Sequence, residues 1–294
     1  MSTFSNKLNT IANNTNSCLK SFFSKQKKKS YLLKPMKYGV FSGGKRFRSA
    51  IVASTGKIFN IDYKKLIIIG SAIECIHAYS LMHDDLPAMD NDELRRGKLS
   101  VHKKFNEFTA ILAGNSLLIL AFEILSGKEL KLSQNYKNKL IKTLSKSSGH
   151  YGLAGGQYSD LTSENKNISE KKIINMQKKK TGELFGFCCE SVAIVKGLNG
   201  SKRKQLKEIG TNIGLLFQIV DDLIDYKGDS SIVGKPTRRD KKKGKATLIS
   251  LLGYKETVNF AKNLKKKIDK KIKKYGTKAN DLLDSVEYIL ERKF

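Results

Sequence analysis

The 294-residue chain contains no tryptophan, three prolines, four cysteines and four histidines, and its 56 basic residues outnumber 27 acidic ones. Each shortage excludes something. With so few prolines and no stretch rich in proline, glycine or serine, no linker is evident, so residues 1–294 read as a single domain able to bury a sizeable core. Cys18, Cys75, Cys188 and Cys189 lack metal-ligand spacing, and an adjacent pair rarely bridges; reduced, mostly buried thiols in a cytoplasmic protein are expected. The N-terminal "MSTFSNKLNTIANNTNSCLKSFF" has neither the apolar core of a signal peptide nor the arginines of a transit peptide. The longest apolar run, "LIIIGSAIECI" (66–76), is too short for a bilayer and carries Glu74, so stable membrane insertion is not expected.

The deficit of acids leaves a net charge of +29. Lysines are spread through the whole chain instead of gathering with arginine and aromatics in one patch, which argues against nucleic acid as the partner. A general positive field still favours a small anionic substrate.

What is present is helical periodicity almost everywhere. It predicts helices over roughly 5–23, 45–59, 62–83, 107–126, 134–149, 169–196, 201–226, 245–252, 255–275 and 278–291. The breaks carry glycine or proline, as in "SGG" (42–44), "DLPAMDND" (85–92) and "GLNG" (197–200). Strand-like alternation is scarce, so the fold class is all-α. In "KNLKKKIDKKIKKYG" (262–276), the positions Phe260, Leu264, Ile268 and Ile272 form one apolar stripe on a lysine-coated helix, which reads as core-facing in preference to membrane-bound.

The scarce acids are concentrated. "LMHDDLPAMDNDELRRGK" (81–98) gathers Asp84, Asp85 and Asp90 around Pro87, and "LLFQIVDDLIDYKGD" (215–229) holds Asp221, Asp222 and Asp225. Asp221 and Asp225 share a helical face flanked by apolar residues, so this face is expected to turn inward, where carboxylates require a cation. Asp84 and Asp90 fall on different faces of an unbroken helix; Pro87 allows the chain to leave the helix and bring Asp90 back beside Asp84. Oxygen donors without cysteine favour Mg²⁺ over Ca²⁺. "FSGGKRFRS" (41–49) places Gly43 and Gly44 before Lys45, Arg46 and Arg48, with Lys45 and Arg48 expected on one helical face, as suits a phosphate at a helix start. His77 precedes Asp84 by two helical turns and is expected on the same face.

The segments "GGKRFR", "HDDLPAMDNDELRRG", "GGQYSDL", "KKKTGELF", "FQIVDDLIDY" and "VGKP….D….KATL" resemble, in order and spacing, the trans-polyprenyl diphosphate synthases, and among them the bacterial farnesyl diphosphate synthases. The resemblance covers about residues 5–294. It implies an isoprenoid-synthase helical bundle around a deep central cavity and a homodimer. The implied activity joins isopentenyl diphosphate to an allylic diphosphate with Mg²⁺, about three ions per active site. Carried over position by position, Asp84, Asp85, Asp90, Asp221, Asp222 and Asp225 would hold metal. Lys45, Arg48, His77 and Arg96 would bind isopentenyl diphosphate. Arg95, Lys180, Lys235 and Lys245 would bind the allylic diphosphate. Lys180, Thr181 and Gln218 would serve the reacting carbocation, with Gly182 permitting a kink. Tyr79 and Ser80, on the helix entering the first aspartates, would limit product length to farnesyl. Geranylgeranyl diphosphate synthesis and a non-catalytic subunit are the alternatives; such subunits typically lose one aspartate motif, and both are intact here. Where relatives read Lys-Ala-Thr-Tyr-Pro this chain has "KATLI" (245–249), and Arg292 lies in a C-terminal basic tail like that which closes the site in relatives.

Overall fold

The computed structural model describes residues 3–26, 30–227 and 244–292. These form an all-α protein whose described strands are two two-residue pieces. The chain divides into two compact units: residues 1–53 with 62–141, and residues 54–61 with 142–294.

The first unit is built on helices α1 (Thr3–Lys25), α2 (Leu33–Phe41), the start of α3 (Phe47–Ile58), α4 (Tyr63–Asp84), the short α5 (Val101–Lys104), α6 (Glu107–Ser126) and the start of α7 (Gln134–Ser148). Helix α4 is its centre. Leu66, Ile69, Ile73 and Ile76 are buried against α6 and α1, where Ala110, Ala113, Leu117, Leu19 and Phe23 are equally closed off. Asp62 caps α4 by accepting from the Lys65 N–H at 3.1 Å. Helix α2 was not foreseen because it contains Pro35. That proline stands in the first turn, where the missing N–H has no helical partner to lose.

The second unit packs α8 (Leu153–Thr162), α9 (Glu170–Gln177), α10 (Glu183–Lys196), α11 (Gly200–Lys227), α12 (Leu248–Leu252), α13 (Tyr254–Ile272) and α14 (Asn280–Glu291). Helices α10 and α11 meet through glycines. A Cβ on Gly210 would lie 2.3 Å from the Phe185 carbonyl oxygen, and one on Gly214 would lie 2.7 Å from the Gly182 Cα. Of the expected apolar stripe on α13, Ile268 and Ile272 are buried and Phe260 and Leu264 half-buried, while most of its lysines are exposed.

The predicted helix over 169–196 is interrupted at Lys178–Gly182 by a π-helical turn, in which the Glu183 N–H reaches back to the Lys178 carbonyl. Helix α8 lay outside the predicted set because "LAGGQYSDLT" carries adjacent glycines. Gly156 is there for packing: a Cβ on it would lie 2.1 Å from the Lys180 backbone nitrogen.

Candidate active site

In the first unit, α4 ends at Asp84 and the chain turns through Pro87. The Asp90 N–H donates to the Asp84 carbonyl at 2.8 Å, and the Asp92 N–H to the Asp85 carbonyl at 3.0 Å. The expected return of Asp90 to Asp84 is therefore present, fixed by the main chain. Asp84 and Asp90 are half-buried. Asp85 differs from them. It is 2% exposed and engages the Arg95 guanidinium, with Nε to Oδ1 at 2.9 Å and a further charge-assisted bond from Nη2. Asp92, which sequence reasoning passed over, takes the same Nη2 at 3.4 Å. Asp85, expected as a metal ligand, also orients Arg95 through these bonds.

Arg95 and Arg96 lie on a tight hairpin whose strands pair Leu94 with Leu99 and Arg95 with Lys98. The turn residues Arg96 and Gly97 have φ of 54° and 74°, the left-handed pair that matches strand twist. Arg96 Nη1 donates to the Gly43 carbonyl at 2.5 Å, across a loop in which a Cβ on Gly44 would meet that same nitrogen. The glycines thus admit the guanidinium. Burial, reinforced by Arg46, Arg95 and Arg48, pushes Arg96 down to about 10, so it remains charged at neutral pH.

The loop 43–46 precedes α3, which starts at Phe47, so Lys45 does not share a helical face with Arg48 as expected. The left-handed Arg46 (φ 51°) turns its side chain inward, to Asn16 Oδ1 at 2.8 Å, the Val40 carbonyl at 2.6 Å and Glu74 at 3.9 Å. Glu74, the acid that interrupts the apolar run, also accepts from the Ser49 N–H at 3.2 Å. Arg46 is thereby structural. Burial, followed by Arg48, Arg96, Arg46 and Arg95, holds His77 well below the ordinary imidazole range, so it is neutral at pH 7. Upstream of the aspartates, the Tyr79 ring stands edge-on to His83, with centroids 5.2 Å apart and planes at 86°. Ser80 Oγ turns back to the His77 carbonyl at 3.0 Å.

In the second unit the buried member of the second cluster is Asp222, at 5% exposure; Asp221 and Asp225 are half-buried. The face of Asp221 and Asp225, expected to turn inward, is only partly closed, whereas Asp222 is buried because its carboxylate has partners. Gln177 donates to one oxygen at 2.7 Å and Gln218 to the other at 2.8 Å. The Gln218 carbonyl oxygen accepts from Thr181 Oγ1 at 2.7 Å, which fixes the orientation of the amide. Thr181 stands in the π turn, where the helix is widened at the predicted "KTG" kink. Asp221 accepts from Arg292 at 2.5 Å. Lys180 Nζ lies 2.6 Å from Asp160 Oδ2, and Lys245 Nζ lies 3.4 Å from the same atom. Gln177, Lys180, Gln218, Asp222, Lys245 and Thr247 line a small cavity of about 40 Å³. The "KATLI" departure does not loosen this wall: Thr247 and Ser250 form a capping box that starts α12 without proline. Lys235 lies outside the described residues.

The donor set is all carboxylate oxygen, which suits a hard cation. Among the described residues no three His, Cys, Asp or Glu side chains converge as a ready-made cage. Mg²⁺ does not need one, since it takes one or two carboxylates and completes its octahedron with water and substrate phosphate.

The chain is also similar in sequence and fold to known proteins. A family model described as polyprenyl synthetase matches residues 29–286. The farnesyl diphosphate synthase of Escherichia coli is 37% identical, covering 89% of each chain. That of Buchnera aphidicola from Acyrthosiphon pisum is 44% identical, covering 81% of this chain and 84% of its own. Among solved structures, an FPP/GFPP synthase from Zymomonas mobilis superposes with a TM-score of 0.87 at 37% identity, covering 98% of each chain. A geranyltransferase from Helicobacter pylori, complexed with magnesium and isoprenyl diphosphate, gives 0.81 at 30% identity over 96% of each chain. With the fold, the two aspartate segments and these likenesses in agreement, the chain belongs to the polyprenyl synthetase family.

Proposed function

We propose that the protein is a cytoplasmic prenyltransferase that adds isopentenyl diphosphate to dimethylallyl and then geranyl diphosphate, releasing farnesyl diphosphate. The observation that carries this reading is the presence, in one chain, of two intact aspartate segments together with a separate basic set for a second diphosphate. A terpene cyclase would need the first without the second.

Lys45, Arg48, His77 and Arg96 bind isopentenyl diphosphate. Neutral His77 contributes a hydrogen bond there, while Arg96 is pre-set by the Gly43 carbonyl. Arg95, oriented by Asp85 and Asp92, and the lysines Lys180, Lys235 and Lys245 take the allylic diphosphate. Asp84, Asp85, Asp90, Asp221, Asp222 and Asp225 are the metal-binding carboxylates, with Asp222 also accepting from Gln177 and Gln218. Mg²⁺, when bound, supplies positive charge to the departing diphosphate. The allylic C–O bond breaks, and the cationic side chains stabilise the leaving group as its charge develops. The fixed oxygens of Thr181 and Gln218 offer dipoles to the allylic cation and no nucleophile able to capture it. The isopentenyl double bond attacks the cation, and the released diphosphate removes the proton, so no side-chain base is required.

The active form is proposed to be a homodimer. Helix α6 turns Phe108 and Ile119, each 65% exposed, outward with Ile111 and Leu112 as one apolar stripe. Helices α4 and α6 are both long and apolar enough to cross a membrane by length and composition, but α4 is largely buried core. The protein incubated with Mg²⁺, dimethylallyl diphosphate and isopentenyl diphosphate should yield fifteen-carbon product by mass spectrometry. Absence of any condensation overturns the enzyme; twenty-carbon product overturns the farnesyl assignment.

A further inference from the structure

The segment "GGQYSDL" matches the family pattern, yet the reaction as described leaves it without work. We propose that Asp160 is a positioning residue: it holds the ammonium groups of Lys180 and Lys245 on one oxygen, ready for the allylic diphosphate. The inference rests on the function proposed above.

Three contacts converge on this reading. The first is the carboxylate itself. Asp160 is 6% exposed, and its Oδ2 takes Lys180 at 2.6 Å and Lys245 at 3.4 Å. Two ammonium groups meeting at one oxygen repel each other, so the arrangement depends on the negative charge between them. The second is α8. Gly156 and Asp160 are four residues apart and share a helical face. Gly156 lets the Lys180 main chain close to a distance at which any Cβ would collide, and Asp160 then receives the side chain of the same residue. The third is the exit from α8. The Asn165 N–H donates at 2.8 Å to the carbonyl of Gly244, the residue before Lys245, and a Cβ on Gly244 would collide with the Asn165 side chain. One short segment therefore meets both lysines at the ammonium and also packs against the main chain of Lys180 and bonds the residue before Lys245.

Lysine is a flexible point charge, and an anion that must gather two of them loses affinity in ordering them. Asp160 performs that ordering before the anion arrives. When the diphosphate binds, the ammonium groups need only shift their hydrogen bonds toward its oxygens.

Binding of inorganic pyrophosphate with Mg²⁺, followed by calorimetry, tests this without requiring turnover. Asp160→Asn should weaken pyrophosphate about tenfold, since both lysines lose their common anchor, and Asp160→Glu should restore most of the loss. In steady-state assays the same variant should raise KM for the allylic substrate and leave KM for isopentenyl diphosphate unchanged. Pyrophosphate binding to Asp160→Asn as tight as wild type, or tighter, overturns the proposal, because Asp160 would then be a competing charge only. If Asp160→Asn does not fold, amine labelling of the wild type decides. Lys180 and Lys245 should react about tenfold more slowly than the exposed Lys262, and more quickly once pyrophosphate has drawn them from Asp160; labelling unaffected by pyrophosphate overturns it. Failure of the wild type to condense substrates would sink the proposed function instead, and leaves this binding measurement readable.

Discussion

Arg292 donates to Asp221 at 2.5 Å and lays its guanidinium over the Phe217 ring at 4.7 Å. A residue at the C-terminal end of the described chain thus occupies a carboxylate that the metal would use. Both groups are partly solvated, so the pairing is weak and reversible. Removing it should make Asp221 easier to load. Arg292→Gln is expected to lower the Mg²⁺ concentration for half-maximal rate by about threefold. An unchanged Mg²⁺ requirement with a raised isopentenyl KM would assign Arg292 to that substrate alone.

Gln218 joins Thr181 to Asp222, and its amide is oriented from both ends. Gln218→Leu removes a donor from a buried carboxylate and an acceptor from a hydroxyl, at a cost of about 1–3 kcal/mol in stability. The catalytic cost should be larger, about a hundredfold in kcat, because the amide dipole next to the cation is lost. A melting curve and a rate measured together check this; a fall in kcat no greater than the loss of folded protein would make Gln218 purely structural.

The all-α class, the paired aspartate segments and the turn at Pro87 were legible because each rests on local chemistry: periodicity, like charge at helical spacing, and a missing N–H. Partnerships across the fold were not. Asp85 reads like Asp84 in sequence, yet a guanidinium ten residues on claims it. The burial of Asp222 could not be read from the sequence, because it rests on two glutamines, one from another helix, that hold its carboxylate inside. Helix α8 lay outside the predicted set, and the main chain that its Gly156 admits lies more than twenty residues away. The outward stripe of α6 was missed for a related reason: an apolar helix looks the same whether both faces or only one is covered.

That stripe predicts an oligomer. Ile119→Asp places a charge in the middle of the proposed self-association face without touching the buried side of α6. Light scattering should show a dimer for wild type and a shift toward monomer for the variant, since burying one unpaired charge costs several-fold to a thousandfold in affinity, about 1–4 kcal/mol. A wild-type monomer would leave the stripe to another partner.

His77 gives stability a pH dependence of definite sign. Its folded-state value lies well below that of the unfolded chain, so the folded protein keeps it neutral. As pH falls below about 6.5 the unfolded chain takes up a proton that the folded protein refuses, and stability is lost. The slope for one such group is up to about 1.4 kcal/mol per pH unit. His77→Gln should therefore lose less stability than wild type between pH 7 and 5.5, as read from denaturant midpoints. Parallel losses in the two proteins would mean that His77 titrates normally.

Tyr79 is held from behind. Its ring rests edge-on against His83, and His83 Nε2 meets the Ile111 carbonyl of α6 at 3.1 Å. His83 can sit there because residue 114 is glycine; a Cβ would lie 2.4 Å from that nitrogen. If Tyr79 is the product-length stop, as we propose, this contact would brace its ring against a growing tail. Tyr79→Ala removes the ring and should lengthen the product beyond fifteen carbons, since nothing bulky replaces it next to Ser80. Gly114→Ala leaves Tyr79 in place but displaces its brace, and should give a mixture of fifteen- and twenty-carbon products. Mass spectrometry of the product diphosphates separates the cases. Unchanged lengths in Tyr79→Ala would move the stop elsewhere, whereas unchanged lengths in Gly114→Ala alone would show that the ring holds its position without His83.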